Sequence, residues 1–283
     1  MSINLNGYLT DFSTPIVMGI LNITPDSFFE GSRYQTKDKI CYRAEEIIRQ
    51  GGKIIDVGGY STRPGAKEVT ENEELDRVTF ALETIHGIFP GTSVSIDTFR
   101  AKVAQIAVCD FGAAIINDIS GGELDEKMFE TVSTLKVPYI LMHIKGNPQT
   151  MQQKIDYVDY IPEIFLYFAE KVDKLKLLGV NDIILDPGFG FAKTLEQNYE
   201  LLSKMNLLSQ FGLPVMAGVS RKSMIWQLLN SSPDESLNGT SVLNTLALMQ
   251  GADILRVHDV KEAVEAVKIY CNYKKFSCGS KSD

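Results

Sequence analysis

The chain has 283 residues, with 28 Lys and Arg against 36 Asp and Glu, giving a formal net charge of −8. That length suits either two ordinary domains or one large α/β barrel. Its 44% hydrophobic and 23% charged residues exclude intrinsic disorder, collagen and disulfide scaffolds.

Short apolar runs alternate with helix-period segments down the chain. Ile16 to Ile23 reads as the first strand, and Thr36 to Gln50 as a helix stopped by Gly51. Ile54 to Val57 is followed by Glu71 to Ile88, a helix opened by a Thr70–Glu73 capping box. Val94 to Ile96 leads into Ala101 to Phe111, which Gly112 stops, and then Ala114 to Ile116. Tyr139 to Met142, the helix Glu163 to Leu178 with Gly179, Ile183 to Leu185, and the helix Leu195 to Gln210 with Gly212 come next. Val215 to Ala217 and Ile254 to Val257 complete eight strand-like runs.

Continuous apolar runs read as strands buried on both faces, and a helical crossover after each one makes the sheet parallel. Eight such units roughly thirty residues apart predict a single-domain α/β fold, the (β/α)8 TIM barrel. No G-x-G-x-x-G follows the first strand, which argues against a doubly wound open sheet. Residues 1–14 are expected to cap the bottom of the barrel spanning 15–275, and 276–283 to form a polar tail.

The active site of such a barrel is assembled at the C-terminal ends of its strands. Those ends read Asn22-Ile-Thr-Pro-Asp26, Asp56-Val-Gly-Gly, Asp97-Thr-Phe-Arg100, Asn117-Asp118, His143, Asp186-Pro-Gly-Phe-Gly, Ser220-Arg221-Lys222 and Arg256-Val-His258. Any one Asp or Asn here is also a residue that makes an Asx turn or caps a helix. Capping has no use for Lys, Arg and His at equivalent positions, and that favours a site. The loop Gly58-Gly-Tyr-Ser-Thr62-Arg63-Pro64-Gly65 can turn its amides toward an anion, with Thr62 and Arg63 adding donors. A solvated surface turn has the same Gly and Pro content. Ser220-Arg221-Lys222 is expected to open a helix and present the positive end of its dipole. Asp56 is either a carboxylate orienting its neighbours or a strand-end group bonded to loop amides. His143 reads as a hydrogen-bonded wall residue, and His86 as structural.

The acidic balance is the wrong sign for coating nucleic acid, so an anionic ligand needs a local basic pocket. No basic residue precedes Arg33 and no apolar run approaches a membrane span, so a cytoplasmic protein without a membrane partner is expected. Cys41, Cys109, Cys271 and Cys278 show no C-x-x-C spacing, which signals neither zinc nor a redox pair.

Together the segments resemble the dihydropteroate synthase family. The match carries GILNITPDSF (19–28), DVGGYSTRPGA (56–66), SIDT (95–98), INDISGG (116–122), MHIKGNPQTMQ (142–152), ILDPGFGFAKT (184–194), GVSRKS (218–223) and GTSVLNTLALMQGADILRVHDVKEAV (239–264). The resemblance implies condensation of (7,8-dihydropterin-6-yl)methyl diphosphate with 4-aminobenzoate. It puts Asp97, Asn117, Asp186 and Lys222 on pterin-binding positions and Met142, Phe191 and Gly218 on the walls of that pocket. Asn22 falls on the Mg2+ and diphosphate position, and Thr62, Arg63, Arg256 and His258 on the anion set. Ser220, Thr62, Pro64 and Phe28 fall where 4-aminobenzoate is held, while Asp97, Lys222 and Arg256 are the implied catalytic residues. A homodimer is implied too, with Val242 to Met249 as its candidate surface, and sulfonamides as inhibitors. Tyr60, where many members carry Glu, and Ala192, where Gly is common, depart from the pattern. A pterin-dependent methyltransferase should lack the S-T-R-P-G loop and terminal R-V-H; a non-catalytic relative should have lost Asn22, Arg63 or Lys222. All are present.

Overall fold

The computed structural model describes residues 1–23, 33–61, 68–146 and 156–277. An antiparallel hairpin comes first, β1 (Ser2–Leu5) and β2 (Tyr8–Asp11), turned through Asn6 and Gly7, both with positive φ. The strands β3 (Ile16–Asn22), β4 (Ile54–Gly58), β5 (Ser93–Asp97), β6 (Ile115–Asp118), β7 (Tyr139–Met142), β8 (Ile183–Asp186), β9 (Met216–Ala217) and β10 (Ile254–Val257) follow. These eight run parallel in the order β8-β7-β6-β5-β4-β3-β10-β9. A parallel bridge between Leu185 and Val215, with the Leu185 amide donating to the Pro214 carbonyl at 2.8 Å, closes the sheet. The eight strand-like runs of the sequence thus form the expected (β/α)8 barrel.

The helices are α1 (Arg33–Arg49), α2 (Glu71–Ile88), α3 (Ala101–Cys109), α4 (Met128–Leu135), α5 (Tyr160–Leu177), α6 (Leu195–Ser203), α7 (Ser223–Trp226), α8 (Leu237–Met249) and α9 (Val260–Ser277). The Thr70–Glu73 capping box is formed, and Thr194–Gln197 makes a second one at α6. Gly51, Gly112, Gly179 and Gly212 all adopt the positive φ that ends helices without Cβ strain. The helix expected over 195–210 stops at Ser203 and continues as a 3-10 segment over Met205–Phe211. At the other end, α9 takes in Phe276 and Ser277, expected in the tail; residues 278–283 lie outside the described residues. Among the described residues no helix is long and apolar enough to cross a membrane.

The pleat sorts the barrel interior into layers, because alternate side chains of a strand face the same way. Met18, Ile54, Ile115, Ile140, Ile184, Met216 and Ile254 form one buried cluster, into which Ile3, Leu5 and Phe12 of the N-terminal segment pack. Two residues further along the same strands, toward their C-terminal ends, stand Ile20, Asp56, Asn117, Met142, Asp186, Gly218 and Arg256. An apolar floor therefore underlies a polar layer. Outward-facing strand residues such as Val17, Ile55, Ile96 and Leu141 pack against the helices in a separate, larger core.

Candidate active site

Strand register builds the first half of the site. Asn22 pairs with Gly58, Gly58 with Asp97, and Asp97 with Asn117 across four adjacent strands. A Cβ at position 58 would stand 3.1 Å from Asn22 Oδ1 and 3.7 Å from Asp97 Cβ, so the glycine keeps this rim open. Arg256 crosses the barrel mouth: its Nε donates to Asp56 Oδ2 and its Nη2 to Asp97 Oδ2, both at 2.6 Å. Asn117 Nδ2 also donates to Asp56 Oδ2, at 3.2 Å. Asp56 thus takes side-chain donors from β6 and β10, while its buried Oδ1 has no hydrogen-bond partner among the described residues. Burial, opposed by the Arg256 charge and reinforced by those of Asp56, Glu74 and Asp118, raises the Asp97 carboxyl to about 7. Burial acts to lower the pKa of Arg256, but the Asp56 and Asp97 charges outweigh it and the guanidinium stays protonated.

The second half comes from β8 and the segment after β9. Asp186 Oδ1 accepts the Gly188 amide at 2.8 Å, and burial raises its pKa against the Lys222, Gly188 and Arg256 contributions that lower it. Lys222 Nζ donates to the Phe189 carbonyl and lies 4.7 Å from the centre of the Phe191 ring. Burial lowers the Lys222 ammonium to about 8, with Asp186 and Asp97 opposing and Arg256 adding to the fall. A Cβ at Gly218 would be 3.8 Å from Lys222 Nζ and 3.9 Å from Arg256 Cβ, so that glycine lets the two cations flank one space. Met142 and Phe191 line a small apolar cluster with Ile119, Ile144, Ala192 and Phe99. Carboxylates, an amide, two cations and an apolar wall converge at one end of the barrel.

Ser220 Oγ accepts the His258 amide at 3.2 Å, joining the segment after β9 to the end of β10. Arg221 faces away, forked onto Asp259 at 2.9 and 2.7 Å. The helix expected to begin at Ser220 is the four-residue α7, too short for the dipole anticipated there. Phe28, Thr62, Arg63 and Pro64 lie outside the described residues.

Glu74, Arg43 and Lys193, at or beside the site, were not singled out from the sequence; Tyr60 and Ala192 were, as departures from the family pattern. Glu74 of α2, buried, accepts from Thr98 Oγ1 at 2.6 Å and pairs with Arg100, whose Nη2 reaches the Val69 carbonyl at 2.7 Å. Tyr60 meets the Phe99 ring edge-on at 5.2 Å, and the Arg100 guanidinium lies 5.4 Å from the Tyr60 centroid, which gives the departure from Glu a packing role. Arg43 of α1 donates to the carbonyls of Ile20 at 3.2 Å and His258 at 2.6 Å. Ala192 adopts φ 49°, the left-handed conformation glycine takes without strain. Lys193 is buried and bonded to His143 Nδ1 at 3.0 Å. A cation directly before the α6 N-cap opposes the helix dipole, and that was the available signal for another role.

A closed (β/α)8 barrel whose strand ends gather acceptors, donors and cations beside an apolar wall is the architecture of an enzyme with a polar site at its mouth. Residues 18–258 match the family described as "Pterin binding enzyme". Dihydropteroate synthase of Escherichia coli (strain K12) is 44% identical over 272 residues, 95% of each chain. Among solved structures, Yersinia pestis dihydropteroate synthase in a sulfonamide drug complex superposes with a TM-score of 0.90 at 41% identity, covering 97% of this chain and 100% of that one. The Xanthomonas albilineans enzyme with 4-aminobenzoic acid gives 0.88 at 33% identity, covering 96% and 98%. The chain belongs to the dihydropteroate synthase family and is a transferase.

Proposed function

We propose that the rim cluster condenses (7,8-dihydropterin-6-yl)methyl diphosphate with 4-aminobenzoate, giving 7,8-dihydropteroate and diphosphate. The observation that carries this reading is the convergence of Arg256 on Asp56 and Asp97 within electrostatic reach of Asp186 and Lys222. A pterin offers a row of N–H donors, which the Asp186 carboxylate accepts two at a time, while the Asn117 amide both donates and accepts. Lys222 supplies a charged donor to the ring's acceptors; Met142, Phe191 and the open Gly218 accommodate its faces. Arg256, His258, Thr62 and Arg63 bind the diphosphate, and Ser220, Thr62, Pro64 and Phe28 hold 4-aminobenzoate.

Asn22 suits Mg2+: its amide oxygen is a hard neutral donor beside Gly58, and Mg2+ keeps most of its shell as water and substrate phosphate. Among the described residues no three His, Cys, Asp or Glu side chains group to hold a metal by themselves. When bound, Mg2+ neutralises phosphate charge. The chain's own task is largely electrostatic, because diphosphate is a stable leaving group and the pterin spreads the charge of the methylene it leaves behind. Arg256 draws the departing anion, and Asp97, when ionised, favours the pterin-methyl cation. The aromatic amine attacks in its neutral form and needs no strong base.

A coupled assay for diphosphate, omitting each substrate and Mg2+ in turn, tests the activity; no release with all three present would contradict it. Single-turnover quenching without 4-aminobenzoate tests the order of events, since absence of any diphosphate would favour direct displacement. A second copy of the chain covering Val242, Leu246 and Met249, all exposed on α8, accounts for that apolar face as a homodimer contact. Sedimentation should then give twice the 31.5 kDa chain mass.

A further inference from the structure

The geometry points to Lys193 as a positioning residue of the pterin pocket, one that holds the turn from Asp186 to Phe191 in its binding shape with His143 as anchor. The inference rests on the reading of Asp186, Phe191 and Lys222 as the pterin face.

Lys193 Nζ bonds the Gly188 and Phe191 carbonyls at 2.9 Å each and His143 Nδ1 at 3.0 Å. The ammonium form has three donors and no acceptor, so all three are used; the neutral form, reached above about pH 7, keeps two donors for the carbonyls and a lone pair toward His143, so the turn stays tied in either form. The two carbonyls belong to opposite ends of the turn that follows β8. Besides these, the turn is closed by the Phe191 amide on the Gly188 carbonyl, at 3.1 Å. Both tied residues matter to the site: the Gly188 amide orients the Asp186 carboxylate, and the Phe191 ring lies under Lys222.

Behind the turn, Phe189 is buried in the main core and the Gly190 amide donates to Asn198 Oδ1 of α6 at 2.7 Å, so its middle is anchored while the Gly188 and Phe191 carbonyls share the one Lys193 donor group. A cavity of about 260 Å³ lies between α6 and α7, lined in part by Gly190, Lys193, Asn198, Ser223 and Gln227. Released from Lys193, the Phe191 end of the turn has that space beside it to shift toward, carrying the ring with it. On the barrel side the backbone has no slack, because a Cβ at Gly188 would stand 2.1 Å from the His143 carbonyl oxygen.

His143 is a fitted anchor. Its amide donates to the Asp186 carbonyl at 2.9 Å, and its ring meets Tyr167 edge-on at 4.8 Å. Burial and the Lys193 charge lower its pKa well below the ordinary value, which keeps the ring neutral; in the tautomer protonated on Nε2, Nδ1 accepts from the ammonium. Lys222 holds the same turn from the pocket side through the Phe189 carbonyl. Lys222 must release that bond to reach a ligand, whereas Lys193, already saturated, stays.

Steady-state kinetics of the purified enzyme test the inference with Lys193→Met, Lys193→Arg, His143→Phe and His143→Asn. Lys193→Met should raise KM for the pterin substrate at least about tenfold, the scale of one lost charge-assisted bond, with KM for 4-aminobenzoate within about twofold. His143→Phe should act in the same direction. His143→Asn, whose carbonyl can stand near the Nδ1 position, should restore most of the affinity. Equal scaling of both KM values, or a fall in active enzyme with both unchanged, would overturn the proposal. If Lys193→Met is insoluble, the two His143 variants decide: equal pterin KM values in Phe and Asn overturn it. Asp186→Asn is the control. If it binds pterin normally, the reading of the site has failed; if it loses pterin while Lys193→Met keeps it, only this inference has.

Discussion

Replacing Arg256 by Met removes both donors that Asp56 and Asp97 receive from it and leaves two carboxylates inside the barrel mouth. Asp56 is completely buried and the Asp97 side chain is 16% exposed, so water relieves little of the charge. Breaking a buried pair from one side costs about 3–5 kcal/mol. Such a loss is a large part of the ~5–15 kcal/mol that holds a domain together. At roughly 2–4 °C per kcal/mol for a chain of this size class, Tm should fall by about 10 °C at pH 8. The Asp97 carboxyl is already raised to about 7 with Arg256 present, burial being the main cause, and rises further without it. A carboxyl more basic folded than unfolded stabilises the folded state below its unfolded value, near 4, and loses that contribution as pH rises through its folded value. The gap between wild type and variant should therefore widen above pH 7 and narrow below it. Thermal melts followed by circular dichroism at pH 6 and pH 8 measure this. Asp97→Asn in the Arg256→Met background should recover part of the loss at pH 8. A variant melting within about 2 °C of wild type at pH 8, or a gap that ignores pH, would refute the reasoning.

Lys222→Ala should reduce turnover at least about tenfold, and wild-type kcat/KM for the pterin substrate should fall above about pH 8 as the ammonium is lost; a flat profile to pH 9.5 would argue against that donor. Lys193, driven down to about 7 by burial against the Asp186 charge, binds fewer protons folded than unfolded between there and the ordinary lysine range. Wild type should thus gain stability relative to Lys193→Met from pH 7 to 9, by on the order of 1 kcal/mol per pH unit at most, in urea titrations; no relative gain means that Lys193 is protonated throughout. Phe12→Ala should cost about 3–5 kcal/mol by opening a cavity in the barrel floor, with pterin KM unchanged, because the floor lies a full layer below the site. Urea melts together with kinetics separate the two effects.

The barrel was legible because its strands are short apolar runs separated by helical segments with glycine stops, a pattern that survives without any tertiary information. Tyr139 to Met142 and Ile254 to Val257 have the same limits in sequence and structure. The hairpin over Ser2–Asp11 was not read as strands; its Asn-Gly turn was the available signal. The helix expected through Gln210 tightens after Ser203, since a 3.6-residue pattern does not distinguish an α-turn from a 3-10 one over so few residues. At the site, residue types at strand ends pointed to Asp97, Asn117, Asp186, Lys222 and Arg256. Their partners were not legible, because Arg256 lies 200 residues from Asp56 and 159 from Asp97. Lys193 was hidden for a related reason: its three acceptors are two backbone carbonyls and a histidine 50 residues away.

Calorimetric titration with three ligands, a pterin lacking the phosphate tail, free diphosphate with Mg2+, and the two joined as the substrate, tests the convergence of the two halves most directly. With Asp186 and Lys222 reading the ring beside Arg256 and His258 on the anion, the joined ligand should bind at least about 100-fold more tightly than either part, since one contact raises the effective concentration of the other. A joined ligand that binds no more tightly than its better half would mean that the carboxylates and the cations do not serve one substrate.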